Sequence, residues 1–301
     1  MQLVIKNLSK TYPNGKQALN NVSLTIGTGM FGLLGQNGAG KSTLMRTIAT
    51  LQDADSGSIF LNDIDVLKQP QEIRKILGYL PQDFGVYQNV SAEEMLDHIA
   101  DMKGIGIRSE RTTAVADLLK RVNLYDVRKK KLGSYSGGMK QRFGIAQALL
   151  GSPKLIIVDE PTAGLDPLER NRFYNLLSEI GENTIVILST HIVEDVSTLC
   201  NDMAIIGNGE VLKAGKPADI ENELRGQLWE KEISKQALPS YQQRGLQIIS
   251  NRFHAGRLII TVLSDIAPDE TFTPKTPSLE DAYFRLLTND PLTSKKVPAH
   301  V

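Results

Sequence analysis

The 301-residue chain has the composition of an ordinary globular protein, with 41% hydrophobic and 23% charged residues. Lysine and arginine number 34, as do aspartate and glutamate, so no global field draws the chain to nucleic acid and we expect no such partner. A single cysteine, Cys200, excludes an intrachain disulfide and fits a reducing compartment. Neither a signal peptide nor an apolar stretch of about 20 residues is evident, which favours a cytoplasmic protein.

The chain begins with strand patterns. Half-exposed strands are predicted at 3–5, 23–26 and 58–61, and the continuous apolar run MFGLL (30–34) predicts a strand buried on both faces. Tyr12 follows the first strand in a short loop, where its ring either packs in the domain or stacks on a purine.

A phosphate-binding pattern follows the buried run. The stretch GQNGAGKS (35–42) fits G-x-x-x-x-G-K-[ST] and stands between a strand and a helical pattern. Its glycines allow the backbone N–H groups to wrap a pyrophosphate. Lys41 would reach the β and γ oxygens, and the Ser42 hydroxyl would bind Mg²⁺.

From about residue 87 to 150 the strand signals give way to helical ones, which predicts a helical insert in an α/β core. Gln82, just before this insert, is an ordinary loop glutamine unless other site residues accompany it. Within the insert, SYSGGMKQR (134–142) places Ser136 as an N-cap, and the N-terminus of the following helix is a second anion site.

Two further buried runs end in polar side chains. In LIIVDE (155–160), Asp159 and Glu160 emerge at the carboxyl end of a strand, where ligands bind in open α/β sheets. Asp159 is a candidate for holding Mg²⁺ through water, and Glu160 a candidate general base. His191 follows the run TIVIL (184–188) at the end of another strand and would donate to a phosphate or a water.

The last part of the chain has a different character. Asn208-Gly209 predicts a hairpin turn, and LQIIS (246–250) is expected to pair with RLIITVL (257–263). Ser278 and Asp281 have the spacing of a capping box at the start of an amphipathic helix. We therefore predict a C-terminal accessory region at 225–288, followed by a disordered tail at 289–301.

Together these motifs resemble the nucleotide-binding domain of ATP-binding cassette (ABC) transporters, over about residues 1–220, with the helical subdomain at about 87–150. The resemblance implies a P-loop NTPase core with a mixed sheet, an antiparallel β subdomain and the helical insert, to which a small α+β appendage is added. Tyr12 matches the adenine-stacking aromatic, Gln82 the Q-loop, residues 135–139 the signature, 163–166 the D-loop and His191 the H-loop. LIIVDE matches Walker B, and the Walker A loop comprises Gly35, Gln36, Asn37, Gly38, Ala39, Gly40, Lys41, Ser42 and Thr43.

The resemblance also implies roles. ATP and Mg²⁺ are the expected ligands; Glu160, His191 and Gln82 are the expected catalytic residues, and the metal ligands would be Ser42, Gln82 and Asp159. Two cassettes would face each other head to tail, so that each signature closes on the nucleotide of the other chain. The residues implied there are Ser136, Gly137, Gly138 and Asp166. The signature departs from the family pattern at Tyr135 and Met139, although its serine and both glycines remain.

As a whole, the resemblance implies an ATP-hydrolysing subunit that forms a dimer, most simply a homodimer, and that drives separate integral membrane subunits from the inner face of the membrane. The stretch PSLEDAYFRLL (277–287) resembles the bacterial drug and antibiotic exporter branch, and import remains the alternative. A DNA-maintenance ATPase would need a long coiled coil between Lys41 and Ser136, and a translation-type protein two cassettes. A GTPase would need an N-K-x-D motif, which is missing.

Overall fold

The computed structural model describes residues 1–82, 85–162, 165–181 and 183–288, and the chain divides into two compact units, Met1–Ala214 and Gly215–Val301. Asp83 and Phe84 after the expected Q-loop glutamine, Ala163 and Gly164 of the expected D-loop, and the predicted tail 289–301 lie outside these ranges.

The first unit contains strands of two sheets and seven α-helices within the described ranges. Its strands are β1 Gln2–Thr11, β2 Gln17–Gly27, β3 Gly29–Leu34, β4 Ser56–Leu61, β5 Ile64–Asp65, β6 Leu77–Leu80, β7 Leu155–Asp159, β8 Ile185–Thr190, β9 Asp202–Gly207 and β10 Glu210–Gly215. Its helices are α1 Lys41–Ile48, α2 Pro70–Ile76, α3 Ala92–Met102, α4 Arg108–Arg121, α5 Gly137–Leu149, α6 Pro167–Gly181 and α7 Val193–Leu199, with short 3-10 helices at Tyr125–Val127 and Leu132–Ser134.

The larger sheet has the order β10-β9-β3-β8-β7-β6, and β9, β3, β8, β7 and β6 run parallel to one another. The three continuous apolar runs of the sequence form β3, β7 and β8 at its centre, where burial on both faces is expected for parallel strands. The predicted Asn208-Gly209 turn joins β9 to β10, with positive φ at both residues. β6 was missed because its four residues, LGYL, are too few to give a strand pattern.

The smaller sheet is antiparallel, with the order β2-β1-β4-β5. Side chains from β1 and β2, from α1 and from β7 and β8 belong to one buried cluster, including Leu3, Leu24, Leu44, Ile157 and Ile187. Helix α1 contacts both β2 and the central strands of the larger sheet. The apolar face of α1 therefore anchors the loop that precedes it between the two sheets.

The helical insert between β6 and β7 contains α3, α4 and α5, which contact one another. Ser91 and Glu94 form a capping box at the start of α3. The insert meets the larger sheet where α5 contacts β6, and the backbone of Gly78 passes close to the Ala148 carbonyl oxygen at that point.

The second unit is an α+β assembly. Its elements are α8 Pro217–Asn222, β11 Leu228–Ile233, a 3-10 helix Lys235–Ala237, α9 Leu238–Gln243, β12 Gln247–His254, β13 Arg257–Leu263, β14 Thr273–Pro274 and α10 Leu279–Thr288. The predicted pairing of β12 with β13 and the predicted capping box of Ser278 with Asp281 are both present. β11 was missed because the residues of LWEKEI are charged at half of its positions, although it lies inside the sheet order β12-β13-β11-β14.

Among the helices that the structure describes, none is both long and apolar enough to span a bilayer.

The close contact at Gly78 generates a stability prediction. A Cβ there would overlap the Ala148 carbonyl oxygen, and helix backbone cannot yield as a flexible side chain does. We expect Gly78→Ala to cost about 1–3 kcal/mol of stability, which corresponds to a fall of roughly 2–10 °C in Tm for a chain of this size. The matched control is Gly106→Ala, since an added Cβ at Gly106 has no neighbour within 4 Å. Thermal unfolding of both variants measures the difference, and equal Tm values would contradict this account.

Candidate functional site

The candidate site lies at the carboxyl ends of neighbouring parallel strands. Leu34 at the end of β3 is paired with Thr190 of β8, and Asp159 at the end of β7 is paired with Ser189. β6 joins on the other side of β7 through the pair Leu80 and Val158. The sheet register therefore brings together the phosphate-loop pattern, Glu160, His191 and Gln82, which are distant in sequence.

The loop 35–40 is shaped by glycines. Gly38 and Gly40 have φ of 84° and 110°, a region that other residues rarely adopt. A Cβ on Gly40 would overlap the Ala18 carbonyl oxygen, and one on Gly35 would lie 2.5 Å from that of Ile206. Helix α1 starts directly after Gly40, so its first N–H groups have no intrahelical partner and carry partial positive charge. The arrangement suits an anion.

Lys41 is the cation of this loop. Its side chain is buried, and its ammonium donates to the carbonyl oxygens of Gly35 at 2.6 Å and Gln36 at 3.2 Å. The Nζ atom also lies 3.7 Å from Oε1 of Glu160. Burial lowers the pKa of Lys41, whereas the carboxylates of Glu160 and Asp159 act in the opposite direction. A phosphate oxygen could therefore replace either carbonyl oxygen as the hydrogen-bond acceptor for the Lys41 ammonium.

Glu160 sits in a strained conformation. Its φ is 49°, and a hydrogen bond from its N–H to the Ser189 carbonyl oxygen, 2.8 Å long, holds the backbone there. Oε2 accepts from Gln82 Nε2 at 3.3 Å and lies 3.1 Å from His191 Nδ1. The Glu160 side chain is only 8% exposed and lines a cleft, whereas the His191 side chain is 44% exposed.

Asp159 has the properties expected of a metal ligand. It is 4% exposed, and among the described residues its Oδ1 atom has no hydrogen-bond partner. The hydroxyl of Ser189, its register partner on β8, is likewise buried and unpartnered in this part of the structure. Asp159 directly precedes Glu160, which lines the cleft together with the exposed Ser42 and with Gln82. Carboxylate, hydroxyl and amide oxygens are the hard ligands that Mg²⁺ prefers, so the residue types fit the ion.

The cleft has a volume of about 280 Å³, and Tyr12, Lys16, Ser42, Gln82 and Glu160 are among its lining residues. The Tyr12 hydroxyl lies 3.1 Å from Thr43 Oγ1 and donates to Gln52 Oε1 at 3.2 Å. These two bonds fix the ring beside the phosphate loop. Lys16 and Gln52 were not identified from the sequence, because nothing in their local pattern distinguishes them from surface residues.

The signature segment, which is predicted to be a second anion site, begins a helix away from the phosphate loop. Ser136 caps α5 as predicted, with Oγ accepting from Met139 N at 3.3 Å, and Ser136 and Gly137 are exposed. Tyr135 is buried, and its hydroxyl donates to the Val127 carbonyl oxygen at 3.1 Å. Where the structure describes the chain, none of 136–138 is among the residues lining the cleft. The two predicted phosphate sites therefore stay apart within one chain.

Asp166 has a structural contact in this conformation. Its Oδ1 atom accepts from Glu169 N at 2.8 Å in the first turn of α6, which is the bond of a helix cap. Like 136–138, Asp166 is not among the lining residues of the cleft in the described ranges.

Comparison with known proteins places the chain in a family. The family described as "ABC transporter" matches residues 19–163. The "Uncharacterized ABC transporter ATP-binding protein YxlF" of Bacillus subtilis (strain 168) is 32% identical over 303 residues, which cover 95% of this chain and 99% of that protein. The "Probable multidrug ABC transporter ATP-binding protein YbhF" of Escherichia coli (strain K12) is 31% identical over 95% of this chain.

A solved structure shares the fold. It is described as the dimeric post-hydrolysis state of the ATP-binding cassette MJ0796 bound to ADP and Pi, and it is 28% identical with a TM-score of 0.66 over 71% of this chain and 98% of that one. The chain thus belongs to the ABC transporter family, among its ATP-binding proteins. It spans 52% of the length of YbhF, about half of that relative.

Lys41 and Lys16 offer a matched pair of lysines at one cleft, one buried and one exposed. We expect Lys41→Met to reduce the affinity for ATP by about 10- to 100-fold, because it removes hydrogen bonds from a charged group worth roughly 1.5–3 kcal/mol. Lys16→Met should reduce it less than about fivefold, since solvent screens an exposed cation. Titration with a fluorescent ATP analogue measures both. Equal losses in the two variants would show that burial of Lys41 confers no special role.

Proposed function

We propose that this chain is the ATP-binding and ATP-hydrolysing subunit of an ABC transporter and that it drives transport through separate membrane subunits. The observation that carries the proposal is the setting of Glu160. Its carboxylate, with a strained backbone, lies among Lys41, Gln82 and His191 at the cleft that also contains the phosphate loop. A general base beside a phosphate-binding cation is an arrangement suited to hydrolysis of the terminal phosphoanhydride bond of ATP.

In this mechanism the loop and the N-terminus of α1 bind the phosphates, and Lys41 exchanges its bonds to the Gly35 and Gln36 carbonyl oxygens for bonds to phosphate oxygens. Glu160 orients a water molecule and accepts its proton, while His191, 3.1 Å from the same carboxylate, positions the terminal phosphate.

Other residues at the site bind the rest of the nucleotide and the metal ion. Tyr12 stacks on the adenine base. Ser42, Gln82 and Asp159 would hold Mg²⁺, which neutralises charge on the β and γ oxygens when it is bound.

We further propose that the active form is a dimer of two such chains. The exposed Ser136 site lies apart from the cleft of its own chain, which supports a role in completing the site of the partner, together with Gly137, Gly138 and Asp166. The solved MJ0796 structure, which shares the fold, is described as dimeric. ATP would then join the two chains, and hydrolysis would loosen them.

Transport itself requires membrane subunits, to which we propose the chain binds at the inner face of the cell membrane. Tyr87, at the entry to the helical insert, is 68% exposed, and an exposed aromatic at that position is suited to a protein contact. Export is favoured over import because YbhF is named for multidrug transport and because 277–287 resembles the exporter branch.

We propose that residues 225–288 form an accessory region that takes no part in the nucleotide chemistry. None of the groups described at the cleft comes from this region, and it has a hydrophobic cluster of its own around Ile233, Ile260 and Phe272.

Glu160→Gln tests the chemistry. The amide keeps the shape of the side chain but cannot accept a proton, so hydrolysis should fall by about 10²- to 10⁴-fold while ATP binding is retained. Phosphate release measures the rate, and size exclusion with ATP should show an accumulated dimer. The control is Glu72→Gln, which removes an exposed carboxylate whose ion pair, within the described residues, is with Lys75. Near-normal turnover in Glu160→Gln would remove Glu160 from the role of base.

A mixing experiment tests the shared site. Gly138→Asp places a carboxylate at the start of α5, where an ideal Cβ already lies 3.2 Å from the Glu169 carboxylate, so the variant repels an incoming phosphate. Chains with Lys41→Met and chains with Gly138→Asp are each expected to be inactive as homodimers. Their mixture contains heterodimers with one intact composite site, so phosphate release should partly return.

Differently tagged chains, captured in sequence, verify that heterodimers form in that mixture. If the heterodimers are present and activity stays flat at every mixing ratio, each signature serves the nucleotide of its own chain and the shared-site model fails.

A further inference from the structure

One buried carboxylate is not used by the mechanism above. Asp195, in the first turn of α7, is 0% exposed, and the ion pairs found among the described residues do not include it. Its carboxylate accepts from three hydroxyl groups instead. Oδ2 accepts from Thr162 Oγ1 at 2.6 Å and from Thr190 Oγ1 at 2.9 Å, and Oδ1 accepts a short hydrogen bond from Tyr174.

The positions of the two threonines give this network its meaning. Thr162 is two residues after Glu160, and Thr190 directly precedes His191. A single oxygen atom, Oδ2 of Asp195, therefore joins the two loops that carry Glu160 and His191. The hydrogen bond from Glu160 N to the Ser189 carbonyl oxygen joins the same two loops at a second point.

The Thr190 hydroxyl makes two hydrogen bonds. It donates to Asp195 and also accepts from Ile192 N at 3.0 Å, so the backbone on both sides of His191 is held. Tyr174 differs from the threonines, because it stands on α6 and bonds only the other carboxylate oxygen. The Asp195 carboxylate is thus hydrogen-bonded once to the loop of Glu160, once to the loop of His191 and once to helix α6.

Asp195 acts electrostatically on two other buried groups. Burial, the hydrogen bond to Asp195 and the charge of Asp195 raise the pKa of Tyr174. Burial and the charge of Asp195 raise the pKa of the Cys200 thiol to about 12. Arg170 lies 3.8 Å from the exposed Glu194, on the neighbouring position of α7. A buried charge retained with hydroxyl partners alone costs desolvation energy, which a purely structural apolar side chain would not.

We propose that Asp195 is a positioning residue for the hydrolysis step, which acts through Thr162 and Thr190 to hold Glu160 and His191 at their working separation. The inference rests on the proposed function. A residue with positive φ, such as Glu160, keeps that conformation only where several surrounding contacts hold it. The hydrogen bonds from Thr162 and Thr190 to Asp195 are side-chain contacts that help to hold the two loops in place. Displacement of a reacting group by about 1 Å can cost roughly 100-fold in rate.

Four single variants separate positioning from general stability. Asp195→Asn replaces an acceptor oxygen by a donor, Thr162→Val and Thr190→Val each remove one hydrogen bond to a catalytic loop, and Tyr174→Phe removes the hydrogen bond to α6. Each is measured in the full chain for Tm, for ATP affinity by fluorescence titration, and for kcat and KM by phosphate release.

Asp195→Asn and Thr190→Val are expected to lower kcat by about 10- to 100-fold with KM and ATP affinity changed less than about threefold. Tyr174→Phe, which costs a comparable buried hydrogen bond, should lower Tm but leave kcat within about twofold. Equal effects of Thr190→Val and Tyr174→Phe on kcat, or equal losses of kcat and ATP affinity in Asp195→Asn, would overturn the proposal. If Asp195→Asn fails to fold, the comparison of the threonine variants with Tyr174→Phe decides.

A double-variant cycle completes the test. In a His191→Ala background, Thr190→Val should change the residual rate by less than about twofold, because the imidazole that Thr190 is proposed to position is gone. The same fold-loss in both backgrounds would overturn the proposal. The wild-type chain and Glu160→Gln alone report on the proposed function: no phosphate release by the wild type, or normal release by Glu160→Gln, would refute that function independently of any Asp195 variant.

Discussion

The parallel pairing of β3, β8 and β7 is the constraint on which the rest of this structure depends. Because these strands run in the same direction and in register, their carboxyl ends reach one edge of the sheet together. The phosphate loop, the acidic pair and His191 each lie at one of these ends, so the strand pairing by itself brings them close together. Burial of apolar side chains on both faces of these strands stabilises the pairing and thereby the site.

Two buried aspartates at this edge illustrate opposite uses of a carboxylate. Asp159 has an oxygen without a hydrogen-bond partner in the described part of the chain, which suits it to a cation. Asp195 accepts three hydroxyl groups and has little capacity left for a ligand. A carboxylate that is fully satisfied rigidifies its surroundings, whereas one that is partly satisfied is ready to bind. The difference separates a binding group from a positioning group in residues of the same type.

The signature segment and the cleft lie apart within one chain, which supports the proposed dependence on a second chain. Each chain offers a cation-lined loop at one place and a capped helix start at another, and the two do not share a cleft. If ATP is to use both, it must join two chains. In the proposed dimer ATP is both the substrate and the contact between subunits, so hydrolysis of its terminal phosphoanhydride bond would change the interface without a change of fold.

Most residues of the candidate site could be predicted from local sequence motifs. The strand, glycine loop and helix around Lys41 were predicted because glycine spacing, an apolar run and a lysine are all local signals, and the same holds for Glu160 and for the caps at Ser136 and Ser278. Strands with weak patterns were missed: β6 is short, and β11 carries three consecutive charged residues, so each becomes a strand only through pairing with its neighbours.

The sequence by itself determined which reactive side chains are present and that they follow buried strands, because both follow from residue type and short-range periodicity. What only the tertiary structure decided is which distant groups meet. Gln52 fixes Tyr12, Lys16 enters the cleft, and Asp195 gathers Thr162, Tyr174 and Thr190 from three segments. Such contacts depend on sheet register and helix packing, to which every part of the unit contributes, and no local pattern records them.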